Sequence, residues 1–164
     1  MTIIDVFIGI QIILLCIMLF HDWVHLPPLT DIRALEQTHP AKFRFIDSLT
    51  NGGPVLIALL LTWFYRAYFP LWVALFIVFI YALLTLGTIM AWWVPYLFGH
   101  KKVQWLTLLY GDMEEHKKGF SEYTQTHHFL PARYNNLVPN TLHVILHLHI
   151  WSCFVLSLYF LINR

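Results

Sequence analysis

The chain alternates between long apolar blocks and polar segments, and this pattern predicts its main structural elements. A helix needs about 20 mostly apolar residues to cross the roughly 30 Å of hydrocarbon in a bilayer. Four blocks reach this length, at about residues 3–20, 48–69, 71–94 and 141–162. The sequence therefore predicts an all-α fold, a four-helix transmembrane bundle that forms one membrane domain over residues 1–164.

Prolines and an asparagine indicate where these helices begin and end. Pro54 fits the first turn of the second helix, because its missing N–H costs nothing there. The preceding Asn51-Gly52-Gly53 would then lie at the membrane surface. Pro95 is expected to close the third helix. Asn140 is the expected N-cap of the fourth helix, because an asparagine side chain accepts a hydrogen bond from the first helical turn.

Composition agrees with a membrane protein and argues against two other classes. Of the 164 residues, 59% are hydrophobic and 12% are charged, whereas a soluble domain has about 45–50% and about 25%. The aromatic content of 17% argues against disorder, since disordered chains are poor in aromatic residues. The chain is therefore expected to be an integral membrane protein in contact with lipid, and nucleic acid is not expected among its partners.

Lys and Arg are distributed unevenly between the two sides of the predicted bundle. The loops at 21–47 and 95–140 together hold eight of these residues, and the opposite side holds Arg66 and Arg164. The positive-inside rule places the side with more basic residues in the cytoplasm. Both long loops are therefore expected to be cytoplasmic, and both termini are expected outside.

The longer loop has a helical pattern of its own. Apolar residues between Lys101 and Thr126 follow helical spacing without a proline, which predicts one or two amphipathic helices at the membrane surface. The loop at 21–47 similarly has room for a short helix. Lys101, Lys102 and Arg133 are candidates for binding lipid headgroup phosphates. The alternative is that they belong to a solvated loop and follow only the positive-inside rule.

All ten histidines lie in the two long loops or at the helix ends next to them. Two pairs have the i,i+4 spacing that places side chains on one helical face. His21 and His25 follow the first span, and His143 and His147 begin the fourth. If these faces meet, four imidazoles could bind a transition metal. A haem is the less demanding possibility, since it needs two opposed imidazoles.

Other polar residues could act together with these histidines, whether the histidines bind a metal or form hydrogen bonds that close this end of the bundle. Asp22 or Glu115 could be a carboxylate ligand of a metal, or could orient a ligating imidazole. Alternatively, the histidines are neutral at cytoplasmic pH and hydrogen-bond to Asp22, Asn140 or loop backbone, which closes this end of the bundle. A third group, His127-His128, lies in the longer loop.

Several sequence strings resemble a group of small four-span bacterial inner-membrane proteins to which no activity is assigned. They are WWVPYLFG from Trp92, EYTQTHHFLPAR from Glu122, VPNTLHVILH from Val138 and HDWVHLPPLTDI from His21. The resemblance extends over most of the chain. It implies a four-span protein of the bacterial inner membrane, and it implies no function.

No motif specifies a reaction, so the sequence leaves open whether the chain is an enzyme. The first hypothesis is a binding or accessory protein, whose polar loops bind a partner, a lipid headgroup or a metal ion. It would act as a homo-oligomer or in a larger membrane complex. The second is a metal- or haem-dependent oxidoreductase acting on a lipid or quinone. The third is a channel formed by several copies of the chain.

Overall fold

A computed structural model describes residues 2–32, 35–36, 39–99, 126–132 and 138–163. Within these ranges the chain is helical, without strands. Its elements are α1 (Ile3–Phe20), α2 (Ala41–Phe64), α3 (Leu71–Thr88), a π-helical segment (Ile89–Trp93), α4 (Val94–Phe98) and α5 (Thr141–Ile162). The helices predicted in the longer loop lie outside the described residues, as do Lys101, Lys102, Glu115 and Arg133.

Four stretches of the described chain are helical, long and apolar enough to cross a membrane. They are α1, α2, the continuous stretch Leu71–Phe98 and α5. Less than a third of each stretch is buried inside the protein, so each presents a wide apolar surface outward, as lipid requires. The predicted four-helix membrane bundle is confirmed, and α1 and α5 have the predicted bounds.

The four spans form a ring of neighbouring helices, because α1 and α3 each contact both α2 and α5. The core lies between the helices and is formed by apolar side chains from all four. Its most buried members include Phe7, Leu14, Val55, Ala58, Val73, Ile77, Tyr81, Ile150 and Cys153.

α2 differs from the predicted second span at both ends. It begins at Ala41, well before the expected start, and ends at Phe64. Pro54 lies inside this helix, so its predicted place in the first turn is wrong. The early start has a tertiary cause: Arg44 and Ser48, one turn apart, are buried against the residues that follow α1. Packing of this polar face stabilises helical turns that hydropathy alone does not predict.

The third span does not close at Pro95, contrary to the prediction. In the π-helical segment the N–H of Val94 bonds to the carbonyl of Ile89, five residues back. A new helical segment, α4, then starts with Pro95 in its first turn, where the missing N–H needs no partner. The span therefore continues to Phe98. It ends at Gly99, whose φ of 84° is left-handed and favours glycine.

Candidate functional site at the histidine-rich end

The end of α1 and the beginning of α5 meet at one end of the bundle, and histidines from three segments come together there. The ring centroids of His21 and His143 are 6.3 Å apart, and those of His143 and His147 are 5.9 Å apart. His128 also lies close enough to interact electrostatically with His143. We call these four residues the histidine cluster. His25 is exposed and is not part of it.

The predicted pairing of His21 with His25 on one helical face is wrong, because α1 ends at Phe20. The residues that follow form a turn. Among the described residues, no three His, Cys, Asp or Glu side chains are arranged to hold a metal ion. The structure brings His21, His143 and His147 together but not His25, and metal binding by these histidines stays a prediction.

Asn140 organises the start of α5 and orients His143. Its Oδ1 accepts hydrogen bonds from the main-chain N–H and from Nδ1 of His143, both at 2.9 Å. This confirms Asn140 as the N-cap. Because Nδ1 is the donor, Nε2 is the unprotonated nitrogen of the neutral His143 ring. The Asn140 Nδ2 donates in turn to Oγ1 of Thr126 at 2.9 Å.

Two consecutive tryptophans of the π-helical segment contact the histidines of α5. The ring centroid of Trp92 lies 4.2 Å from that of His143. Nε1 of Trp93 donates a hydrogen bond to Nδ1 of His147 at 3.1 Å. Since Nδ1 of His147 is an acceptor, Nε2 carries the proton in the neutral ring. Neither nitrogen of His147 therefore offers a lone pair to a metal in this arrangement.

His21 and Asp22 form a partly buried pair beside the cluster. Nδ1 of His21 donates to the carbonyl of Ile17 at 3.0 Å, and Nε2 lies 3.2 Å from Oδ1 of Asp22. This contact is favourable only when a proton lies between the two atoms, on the imidazole or on the carboxyl. Burial raises the pKa of the Asp22 carboxyl above its usual value, against the opposing effect of His21.

Arg44 holds the turn after α1 against α2, a role that charge counting did not reveal. Its Nη1 donates to the main-chain oxygen of Asp22 at 2.9 Å, and its Nη2 donates to Oε1 of Glu36 at 3.2 Å. Its guanidinium lies 4.6 Å from the ring centroid of Trp23, whose Nε1 donates to Oγ of Ser48 at 3.0 Å. Arg44 and Ser48 are four residues apart, which places them on one face of a helix. This spacing is the feature of the sequence that could have indicated a polar face packed against the turn after α1.

Hydrogen bonds join residues 126–132 to the segment that follows α1, to the start of α5 and to α4. The N–H of His127 donates to the carbonyl of Pro28 at 2.8 Å, and the N–H of Thr141 donates to the carbonyl of His127 at 2.9 Å. The Tyr96 hydroxyl donates to the carbonyl of Pro131 at 3.0 Å. We call residues 21–32, 126–132 and 138–141 the cap. A cavity at its side is lined by His21, Asp22, Thr30, Asp31, Ile32, Leu35 and Leu142.

Comparison with known proteins identifies no relative of this chain. No protein-family model matches it, and no curated protein or solved structure shows significant similarity to it.

Proposed function

We propose that the chain is a binding or accessory protein of a membrane, and that the cap is the surface it presents to a partner. The observation that carries the proposal is the way the cap is built. Three segments far apart in the sequence are joined by hydrogen bonds around residues 28, 127 and 140–141, at one end of the bundle. Loops held in place by a rigid scaffold are where binding residues concentrate.

The composition of the cap also supports an interaction with another macromolecule. Val24, Leu26 and Phe129 are exposed apolar side chains on this hydrogen-bonded surface. An ordered surface that combines exposed apolar groups with polar ones is suited to burial against a protein partner. The partner in this proposal is a second copy of the chain or another subunit of a membrane complex.

In the same proposal the chain lies in a bacterial inner membrane, with the cap in the cytoplasm and both termini outside. The excess of Lys and Arg in the two long loops supports this orientation through the positive-inside rule. The resemblance of several strings to small bacterial inner-membrane proteins supports the location.

Photocrosslinking in native membranes tests the proposed surface. The variant Phe129→p-benzoylphenylalanine places a photoreactive ring on the cap. The matched control Tyr68→p-benzoylphenylalanine places the same ring at the opposite end, where Tyr68 is also exposed. We expect a discrete crosslinked product from position 129 and none from position 68, and its mass would distinguish a second copy from a different protein. Crosslinking at position 68 alone, or at neither position, would reject the proposal.

One observation favours a metal- or haem-dependent oxidoreductase as a second candidate. In the neutral ring of His143, Nδ1 donates to Oδ1 of Asn140. Nε2 then carries the lone pair, and a second ring nitrogen that donates to a neighbouring group is typical of metal-ligating histidines. Nε2 of His21, by contrast, already faces Oδ1 of Asp22 at 3.2 Å. His143 is therefore better placed as a ligand than His21 or His147.

Elemental analysis and an absorption spectrum of protein purified without a histidine tag test this second candidate. Stoichiometric metal or a Soret band that disappears in His143→Ala and persists in His25→Ala would support it. A colourless protein that takes up neither added metal nor haem would reject it.

A further inference from the structure

The first part of α2 extends beyond the end of α1. Gly52 packs against the last turn of α1, because a Cβ atom at Gly52 would lie 2.7 Å from Cδ2 of Leu19. Residues 41–51 come before this contact, and at the helical rise they span about 16 Å. We call residues 41–51 the α2 extension.

The two sides of the α2 extension differ in chemistry. Arg44 and Ser48 are only 7% and 5% exposed, and they bind the turn that follows α1. Phe45 and Leu49, on another side of the helix, are 61% and 58% exposed. One side of the extension is therefore packed through polar contacts, and the other is apolar and is not covered by any part of the chain that the structure describes.

Phe45 and Leu49 belong to an apolar stripe that runs along α2. With 3.6 residues per turn, Leu56, Leu60 and Trp63 fall on the same side as Phe45 and Leu49, and all five side chains are exposed. Gly52 falls at the edge of this side and is buried against Leu19, so the stripe has two exposed parts, one on each side of Gly52. The stripe is about 27 Å long from its first to its last residue, which is close to the roughly 30 Å thickness of a bilayer's hydrocarbon.

Basic side chains lie at both ends of this stripe. Lys42 is exposed, one turn before Phe45 and on the same side of the helix. At the other end the Arg66 guanidinium lies 4.6 Å from the ring centroid of Trp63. Long basic side chains reach from the edge of the hydrocarbon to lipid phosphates, and tryptophan is enriched at this boundary.

We propose that the whole stripe contacts phospholipid, with the acyl chains against Phe45 and Leu49 and a phosphate group beside Lys42. The alignment of Phe45 and Leu49 with the outward apolar side of the span on the same helix, and the charge of Lys42, argue for this occupant. The hydrocarbon then extends along α2 from Phe45 to Trp63. The turn after α1, which binds Arg44 and Ser48, consequently lies at the depth of the membrane surface and not in bulk water.

Site-directed spin labelling in vesicles of phosphatidylcholine and phosphatidylglycerol tests the proposal. In a background with Cys16 and Cys153 replaced by serine, nitroxides are attached to Phe45→Cys and Leu49→Cys. Asp47→Cys is the matched control, because Asp47 is exposed in the same turn but lies off the stripe. Collisions are measured with oxygen, which partitions into hydrocarbon, and with a water-soluble nickel chelate.

The proposal predicts an oxygen-to-nickel collision ratio several-fold higher at positions 45 and 49 than at position 47. Efficient collision with nickel at 45 and 49 would overturn it and place this side in water. Low collision rates with both reagents would also overturn it, and would indicate coverage by a second copy or another protein.

A second measurement uses the unmodified chain and does not depend on the folding of the variants. Vesicles that contain a phospholipid with a diazirine in its acyl chain are irradiated, and the labelled residues are mapped by mass spectrometry. We expect label at residues 45–49 as well as at 56–63. Label confined to 56–63 would contradict the proposal.

Discussion

The indole nitrogen of Trp93 donates to Nδ1 of His147 at 3.1 Å, which joins the π-helical segment to α5. Trp93→Phe keeps an aromatic ring and removes the donor, so it leaves a buried acceptor unpaired. We expect a loss of about 1–3 kcal/mol in the free energy of unfolding, measured by denaturant titration in detergent micelles. Trp72→Phe, at an exposed position at the other end of the bundle, is the control and should change little. An equal loss in both variants would contradict the prediction.

Asn140 both caps α5 and binds Thr126, and two substitutions separate these roles. Asn140→Ala removes both contacts and should lower the free energy of unfolding by about 1–2 kcal/mol. Asn140→Asp keeps the side-chain oxygen that accepts from the His143 N–H and removes the donor to Thr126. We therefore expect Asp at this position to retain most of the stability but to increase proteolysis near residues 126–132. Equal destabilisation by both variants would show that the cap of α5 is not the dominant contribution.

Asp22 should make stability depend on pH. Its pKa is raised by burial above the usual 3.8, so the folded state binds the proton more tightly than the unfolded state. Its stabilising contribution is therefore complete below the unfolded pKa and is lost as pH rises through the folded pKa. The free energy of unfolding of the wild type minus that of Asp22→Asn should fall as pH increases above about 4. Denaturant titrations over a series of pH values measure this difference, and a constant difference would contradict the prediction.

Gly52 and Gly53 are adjacent in α2 but differ in their surroundings. A Cβ at Gly52 would lie 2.7 Å from Cδ2 of Leu19, whereas a Cβ at Gly53 would have nothing within 4 Å. Both alanine substitutions gain about 1 kcal/mol of helix propensity, but Gly52→Ala also forces the half-buried Leu19 side chain to move, which offsets part of this gain. Gly52→Ala should thus be less stable than Gly53→Ala in the same denaturant titration. Equal stabilities would indicate that Leu19 moves without cost.

The candidate site was only partly predictable, and His25 and His128 illustrate why. The i,i+4 spacing predicts that His21 and His25 share a helical face, but residues with this spacing share a face only inside a helix. Because α1 ends at Phe20, the prediction fails for this pair. His128 joins the cluster because residues 126–132 are hydrogen-bonded over the start of α5. Such contacts between segments distant in sequence leave no periodic pattern.

The sequence by itself determined the four-helix membrane bundle, the bounds of α1 and α5, and the N-cap at Asn140. These features depend on continuous apolar length and on local hydrogen bonding, which are properties of neighbouring residues. Tertiary structure decided the early start of α2, the continuation of the third span past Pro95 and the composition of the histidine cluster. The physical reason is that polar groups at helix ends need partners, and here other segments of the chain supply them.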